Sequence, residues 1–375
     1  MLYKGLESVL RLISGPQGRS VPARRPPVRR IVSPVVAALL VSGALAAFID
    51  RGGVDEPVAA IVQCNGHAEL CDRPLDQVVL PATHNAMSVP LPGWFASLQE
   101  RPIRGQLEDG IRGLLLDTHY ADELANGRTR TYFGSADELR HAINHDGVSE
   151  KSVEAAQRLR DRLGFRGEGE RGMYLCHTFC ELGATPLSSV LEDVREFLVT
   201  HPTEVIVVIN QDYVSPSDFV GAMEETGLAA HAFEPPRRSP WPSLRELIER
   251  GQRLLVLAEN RAGAAPWYQL AYERITQETP FTFAAPARLA TPTELPATCE
   301  SNRGTSGAPL FLVNHWVNTD PVPRPSNAAV VNAYDALLRR ARTCQRLRGQ
   351  PPSLLAIDFY QRGDIFDVVE TLNGL

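Results

Sequence analysis

Histidines, amides and carboxylates gather at the ends of apolar runs in this 375-residue chain: His84-Asn85, Asp117-Thr118-His119, His177, Asn210-Gln211-Asp212, Glu259-Asn260, Asn314-His315 and Asp358. Two imidazoles facing each other across a pocket suit cleavage of a phosphodiester. One removes a proton from the attacking hydroxyl, the other protonates the leaving oxygen, and both titrate near neutral pH. A carboxylate such as Asp358 would orient one imidazole and raise its basicity. Charge growing on the phosphoryl oxygens needs an arginine or a divalent cation. No arginine stands at these run ends. The Asn85 amide oxygen and the Asp117 carboxylate are hard ligands of the kind calcium takes.

The runs that would position these groups are 77–85, 111–120, 172–179, 204–212, 253–260, 280–286, 309–316 and 354–360. Most hold four to six apolar residues, rich in Val, Ile and Leu with little alternation, as in buried parallel strands. Helix-like stretches lie between them at 152–163, 186–201, 217–227, 243–251 and 327–349. The second of these places Leu187, Val190, Leu191, Val194, Phe197 and Leu198 on one face. Ser217 and Asp218 look like helix starts, and Gly227, Gly251 and Gly349 like helix stops. Eight strands alternating with helices over some 300 residues predict an α/β fold, a (β/α)8 TIM-type barrel with its chemistry at the C-terminal strand ends. No glycine-rich phosphate loop succeeds any run, which argues against a nucleotide cofactor.

Composition agrees with a globular body: 43% hydrophobic and 22% charged residues. The net charge of −6 is unevenly spread. Residues 1–30 carry seven basic side chains and one acid, which leaves the remainder at −12. So acidic a body is a poor partner for nucleic acid. Residues 31–49 are an uncharged apolar run of 19 directly after RRPPVRR. At 1.5 Å per residue it spans ~28 Å, about one hydrocarbon core. The run is thus expected to be an N-terminal hydrophobic helix, an uncleaved transmembrane anchor or else a cleaved signal, and either exports the body of the protein. The chain divides into a basic segment 1–30, the apolar segment 31–49, a linker 50–62 and a barrel 63–375. Six cysteines, an even number in an exported chain, favour disulfides over free thiols, with fifteen pairings open.

The segments PATHNAMS, QLEDGIRGLLLDTH, YLCHTFCELG and AIDFY resemble the phosphatidylinositol-specific phospholipase C X-domain superfamily, most closely its secreted bacterial and fungal phosphodiesterases. The likeness runs from Cys64 to the C-terminus. It implies that His84 is the general base, His177 the general acid, and Asp358 the carboxylate paired with the first histidine. Asn85 and Asp117 match two ligands of the calcium-dependent branch, so a calcium ion is an implied cofactor. Leu115 and Asn210 stand where that branch has acidic residues, and Asp212 is a candidate second carboxylate. The resemblance also suggests the pairs Cys64–Cys71 and Cys299–Cys344. Cys176–Cys180 would require a sharp turn, since an extended strand separates the two by ~13 Å, and would fix the backbone that carries His177.

The implied activity is an exported phosphoric diester hydrolase acting on a phospholipid at a membrane surface. A glycerophosphodiesterase or phospholipase D-like barrel is one alternative, and a non-catalytic binding protein on a decayed barrel is another. The loop 89–98 carries Trp94 and Phe95 beside two prolines and a glycine. These rings suit insertion at the headgroup boundary, or ordinary packing of both on a neighbouring helix.

Overall fold

The structure, a computed structural model, describes residues 61–94, 97–132, 158, 160, 162–177, 179–319 and 323–375. The basic segment, the apolar run 31–49, most of the linker, most of the helix-like stretch 152–163 and Phe95 lie outside them. No helix among the described residues is long and apolar enough to cross a membrane.

Six of the eight apolar runs form parallel strands: β1 (Leu80–Thr83), β2 (Gly113–Leu124), β6 (Ile206–Asp212), β7 (Leu254–Ala258), β10 (Leu310–His315) and β11 (Leu354–Ile357). Two short strands, β8 (Gln269–Leu270) and β9 (Thr276–Glu278), complete the order β8-β7-β6-β2-β1-β11-β10-β9. All neighbours along this path are parallel. The other two runs depart from the expected barrel. Residues 172–179 belong to β4 (Gly169–Leu175), which is antiparallel to the long β2. With β3 (Thr129–Thr131) and β5 (Thr185–Pro186) it forms an antiparallel extension. Residues 280–286 form no strand; the three-residue β9 just before them takes the sheet position.

Register separates two faces. Leu80, Ala82, Val207, Ile209, Leu255, Leu257, Leu312 and Ala356 pack together on the inner face. Leu116, Val208, Val256, Val313 and Ile357 face the helices. Gly113 lies where an added Cβ would come within 2.5 Å of the Ala82 Cβ, so the inner face closes up only because that position has no side chain. The short helix α1 (Ile103–Glu108) packs beside α2 (Leu187–Thr200), and α2 buries the six residues of its expected apolar face. The helix α3 (Pro216–Glu225) starts earlier than expected: Ser215 Oγ accepts from the Asp218 N–H and Pro216 opens the first turn. Gly227, Gly251 and Gly349 take φ near +70°, as helix stops do. The expected helix 327–349 is two, Pro325–Val331 and Tyr334–Arg348. The break falls at buried Asn332, whose amide donates to the Asp358 carbonyl. The disulfides Cys64–Cys71 and Cys299–Cys344 are present, and so is the Cys176–Cys180 bridge that needed a sharp turn.

The expected closed barrel is instead a curled parallel sheet with a seam. Strands β8 and β9 do not pair with each other, and only residues 271–275 separate them. The segment 302–303 runs along β9, exchanging backbone hydrogen bonds with Glu278, and so covers an edge that would otherwise be bare. From it Arg303 reaches across the seam. Its guanidinium bonds Glu259 at the end of β7 (2.8 Å) and Glu278 on β9 (2.6 Å), and it lies over the Tyr272 ring. Glu278 is fully buried, so removing its partner strands a charge in the interior. Arg303→Met is therefore expected to cost about 3–5 kcal/mol, read as a lower urea midpoint, with partial recovery in Arg303→Met/Glu278→Gln. An unchanged midpoint in the single variant would show that the seam closes without this pair.

Candidate active site

His84 comes directly after β1. Its backbone N–H donates to the Ile357 carbonyl, and Gln99 donates to both the His84 and Ile357 carbonyls. Strands β1 and β11 are parallel neighbours, with Ala82 opposite Ala356. Two residues on, His84 and Asp358 come side by side, and His84 Nδ1 lies 2.8 Å from Asp358 Oδ1. Asp358 is buried; burial raises its pKa and the His84 imidazole only partly offsets this. The His84 ring is stacked flat on Trp316, 3.7 Å between centroids. Trp316 belongs to the inner-face cluster. No motif marks it as a site residue, but its period-two spacing from Leu310, Leu312 and Asn314 is the signal that places it on the inner face.

The far side of the imidazole meets Asn85, 2.9 Å from Nε2. With its amide turned, Asn85 donates to both Asp117 oxygens, at 3.0 and 3.3 Å, and presents its oxygen to His84 Nε2 as an acceptor for the protonated ring. Asp358, His84, Asn85 and Asp117 thus form one hydrogen-bonded chain. Asn85 adopts φ +45° to reach this place, a conformation asparagine tolerates better than most residues.

His177 comes from the turn after β4, between the two cysteines of the Cys176–Cys180 bridge. The Cys176 N–H donates to the Asp117 carbonyl, and the Phe179 N–H to the His177 carbonyl. Desolvation, with the nearby His84 imidazole, lowers the His177 pKa to about 4. The two histidines predicted from sequence are thus near enough for the charge of one to act on the other. Beside them, His119 is buried and stacked on Tyr213, and burial with the His177 charge takes its pKa to about 3.

Other strand-end groups point elsewhere. Asn210 pairs with Leu116 in the register and so lies on the helix-facing side, bonded to Thr118 and Tyr268. Gln211 is the cross-strand neighbour of Asp117. Asp212, the candidate second carboxylate, instead accepts the Asn260 and Arg261 N–H groups; burial raises its pKa to about 7. His315 bonds the Val331 carbonyl and the buried Arg340, and Glu259 is held by Arg303. Trp94 packs against Gly183, its indole N–H donating to Thr185 of β5, so this ring is packed, but on the turn and strand at 183–185 rather than on a helix.

Calcium takes six to eight oxygen ligands. Among the described residues no cluster of three His, Cys, Asp or Glu side chains is arranged to hold a metal. Asn85 is committed to His84 and Asp117, and Leu115 is apolar. These residues do not fit a calcium ion, and no catalytic step is assigned to one.

Similarity to known proteins extends over most of the chain. A family model described as PI-PLC X 1 matches residues 165–373, a stretch that includes His177 and Asp358. A PI-PLC X domain-containing protein 1 of Arthroderma benhamiae is 28% identical over 338 residues, covering 85% of this chain and 92% of the relative. A second protein of that fungus, described as an uncharacterized secreted protein, is 27% identical over 336 residues; the alignment covers 83% of this chain and 64% of the relative's length. Among solved structures, the phosphatidylinositol-specific phospholipase C from Listeria monocytogenes aligns over 81% of this chain and 94% of its own, at 16% identity and a TM-score of 0.47. Because the family model matches more than half of it, the chain belongs to the PI-PLC X family.

Proposed function

We propose that the protein is an exported phosphoric diester hydrolase that cleaves a phospholipid-type phosphodiester with two histidines. The observation that carries this reading is the pairing of His84 with Asp358 at 2.8 Å beside a second imidazole, His177. His84 takes the proton of the attacking hydroxyl at Nε2, while Asp358 holds the Nδ1 proton and offsets the new charge. Once protonated, Nε2 becomes a donor, which the Asn85 amide oxygen accepts. His177 gives its proton to the leaving alcohol. With phosphatidylinositol the neighbouring ring hydroxyl attacks phosphorus, giving a cyclic inositol phosphate and diacylglycerol. A headgroup without such a hydroxyl requires water. Export is supported by three disulfides, which persist in oxidising compartments.

Leu115 on the inner face, where the resemblance implies an acid, favours a second reading, a binding protein on a barrel that has lost turnover. One experiment separates the two. The full chain, produced in an oxidising host and held in detergent, is mixed with phosphatidylinositol and monitored by phosphorus NMR, with calcium and with chelator. A cyclic inositol phosphate signal is expected from the wild type. In His84→Ala or Asp358→Asn the rate should fall by about 10²–10⁴-fold, the contribution of general acid–base catalysis. No new phosphorus signal from folded wild type under either condition would discard this substrate and favour the binding protein.

The pH dependence is set by His177. A general acid works protonated, and the free site loses that proton above about pH 4. The kcat/KM profile reports the free enzyme and kcat the complex. A bound phosphodiester anion stabilises the imidazolium, so the basic limb of kcat is expected at higher pH than that of kcat/KM. Coincident limbs in a rate series over pH would count against His177 as the acid.

A further inference from the structure

The His84 imidazole is met at its edges by polar groups and on one face by an aromatic ring. Asp358 Oδ1 lies 2.8 Å from Nδ1, and Asn85 stands at Nε2. Hydrogen bonds at ring nitrogens run along the ring plane and leave its two faces unsupported. Trp316 covers one of them. The two rings are parallel to within 2°, with centroids 3.7 Å apart. The sheet puts them there. Thr83 pairs with Ile357 on one side and His315 pairs with Ile357 on the other. The next residue on each strand is His84, Asp358 or Trp316, so three neighbouring strands deliver the base, its carboxylate and the indole at one level. Trp316 is 5% exposed and belongs to the inner cluster that holds Leu312 and Ala356, so its place does not depend on a substrate.

Ring over ring is a poor arrangement for two neutral aromatic systems, whose negative faces oppose each other; such pairs prefer an offset or edge-on geometry with centroids about 4.5–7 Å apart. It suits a charged ring, because the face of tryptophan attracts a cation lying within about 6 Å of its centroid. A general base becomes such a cation when it takes the proton. The contact then gains as the reaction proceeds, and an interaction stronger in the transition state than in the ground state raises kcat rather than lowering KM. The His84 side chain keeps 20% exposure, so the indole supports the ring without closing it off from the hydroxyl it must reach.

We propose that Trp316 is the positioning residue of the first histidine: its indole holds the His84 imidazole in line with Asp358 and attracts that ring more strongly once it carries the proton. This rests on the reading of His84 as the general base.

The test alters the indole face in the full chain. Fluorinated tryptophans placed at position 316 alone keep the shape of the ring and withdraw charge from its face. With phosphatidylinositol in detergent, kcat is expected to fall step by step as fluorines are added, with KM little changed. Trp316→Leu removes the face and should lose about 5- to 30-fold in kcat, the rate equivalent of a largely desolvated cation–π contact. Trp316→Phe keeps a face and should recover most of that loss. NMR of nitrogen-15 histidine-labelled protein reads the hold on the ring without substrate. The His84 Nδ1–H bonded to Asp358 is expected as a sharp signal in wild type and Trp316→Phe, and broadened by exchange with water in Trp316→Leu. A kcat indifferent to fluorination, equal losses in the Leu and Phe variants, or an unchanged Nδ1–H signal in folded Trp316→Leu would overturn the proposal. Wild-type protein that turns over no phosphodiester would defeat the hydrolase reading instead, and the Nδ1–H comparison would still decide whether Trp316 holds the ring.

Discussion

The site hangs on one contact, the bond between His84 and Asp358, residues 274 positions apart in the chain. It exists because the first strand of the sheet and the last, β1 and β11, are parallel neighbours. Backbone pairing brings the two strand ends level before either side chain contributes anything. Gln99 and Asn332 then tie the same two strand ends to the loops around them, and Trp316 from the end of β10 presses flat on the imidazole. A short side-chain bond in a buried place gains little net energy by itself. Here its geometry is set by the sheet, so little ordering is left for the reaction to supply.

The same curl leaves a defect on the far side. Six good strands and two fragments do not make a barrel closed by hydrogen bonds, and the seam between β8 and β9 is crossed by Arg303 instead. A buried charge network is a weak source of stability but specifies its partners closely. Glu259 and Glu278 come from the two sides of the seam, so one guanidinium fixes their separation. Arg340 is a fully buried cation, bonded to Thr298, His315 and the Asn314 carbonyl. Both arginines serve the scaffold.

Burial governs the chemistry that remains. His119, His177 and His315 are all pushed toward the neutral form, to about 3, 4 and 3, because an imidazolium loses its hydration in such places. Neutral imidazoles accept as well as donate hydrogen bonds. The acidic groups nearby are committed too: Asp117 to Asn85, Asp358 to His84 and Asp212 to backbone N–H groups.

Local patterns carry much of this architecture. Runs of Val, Ile and Leu mark six of the parallel strands, and the spacing of Leu187 to Leu198 marks the buried face of α2. His84 and Asp358 are legible because each stops an apolar run, which is where a parallel sheet presents its functional groups; His177 also stops an apolar run, but one that folds as the antiparallel β4. Three features lie beyond such reading. The two- and three-residue strands β8 and β9 are too short to carry a periodicity and exist only because β7 and β10 offer them edges. Asn210 and Gln211 differ by one position, and a strand turns successive side chains to opposite faces; only register against β2 shows that Gln211 shares a face with Asp117. The roles of Trp316 and Arg303 depend on what lies across the sheet from them. Sequence determined the six long parallel strands and the residues that end them, since runs of apolar side chains are set locally by hydrophobic burial. Tertiary structure decided which of those ends meet, because that depends on how far a twisted sheet curls before its edges come together.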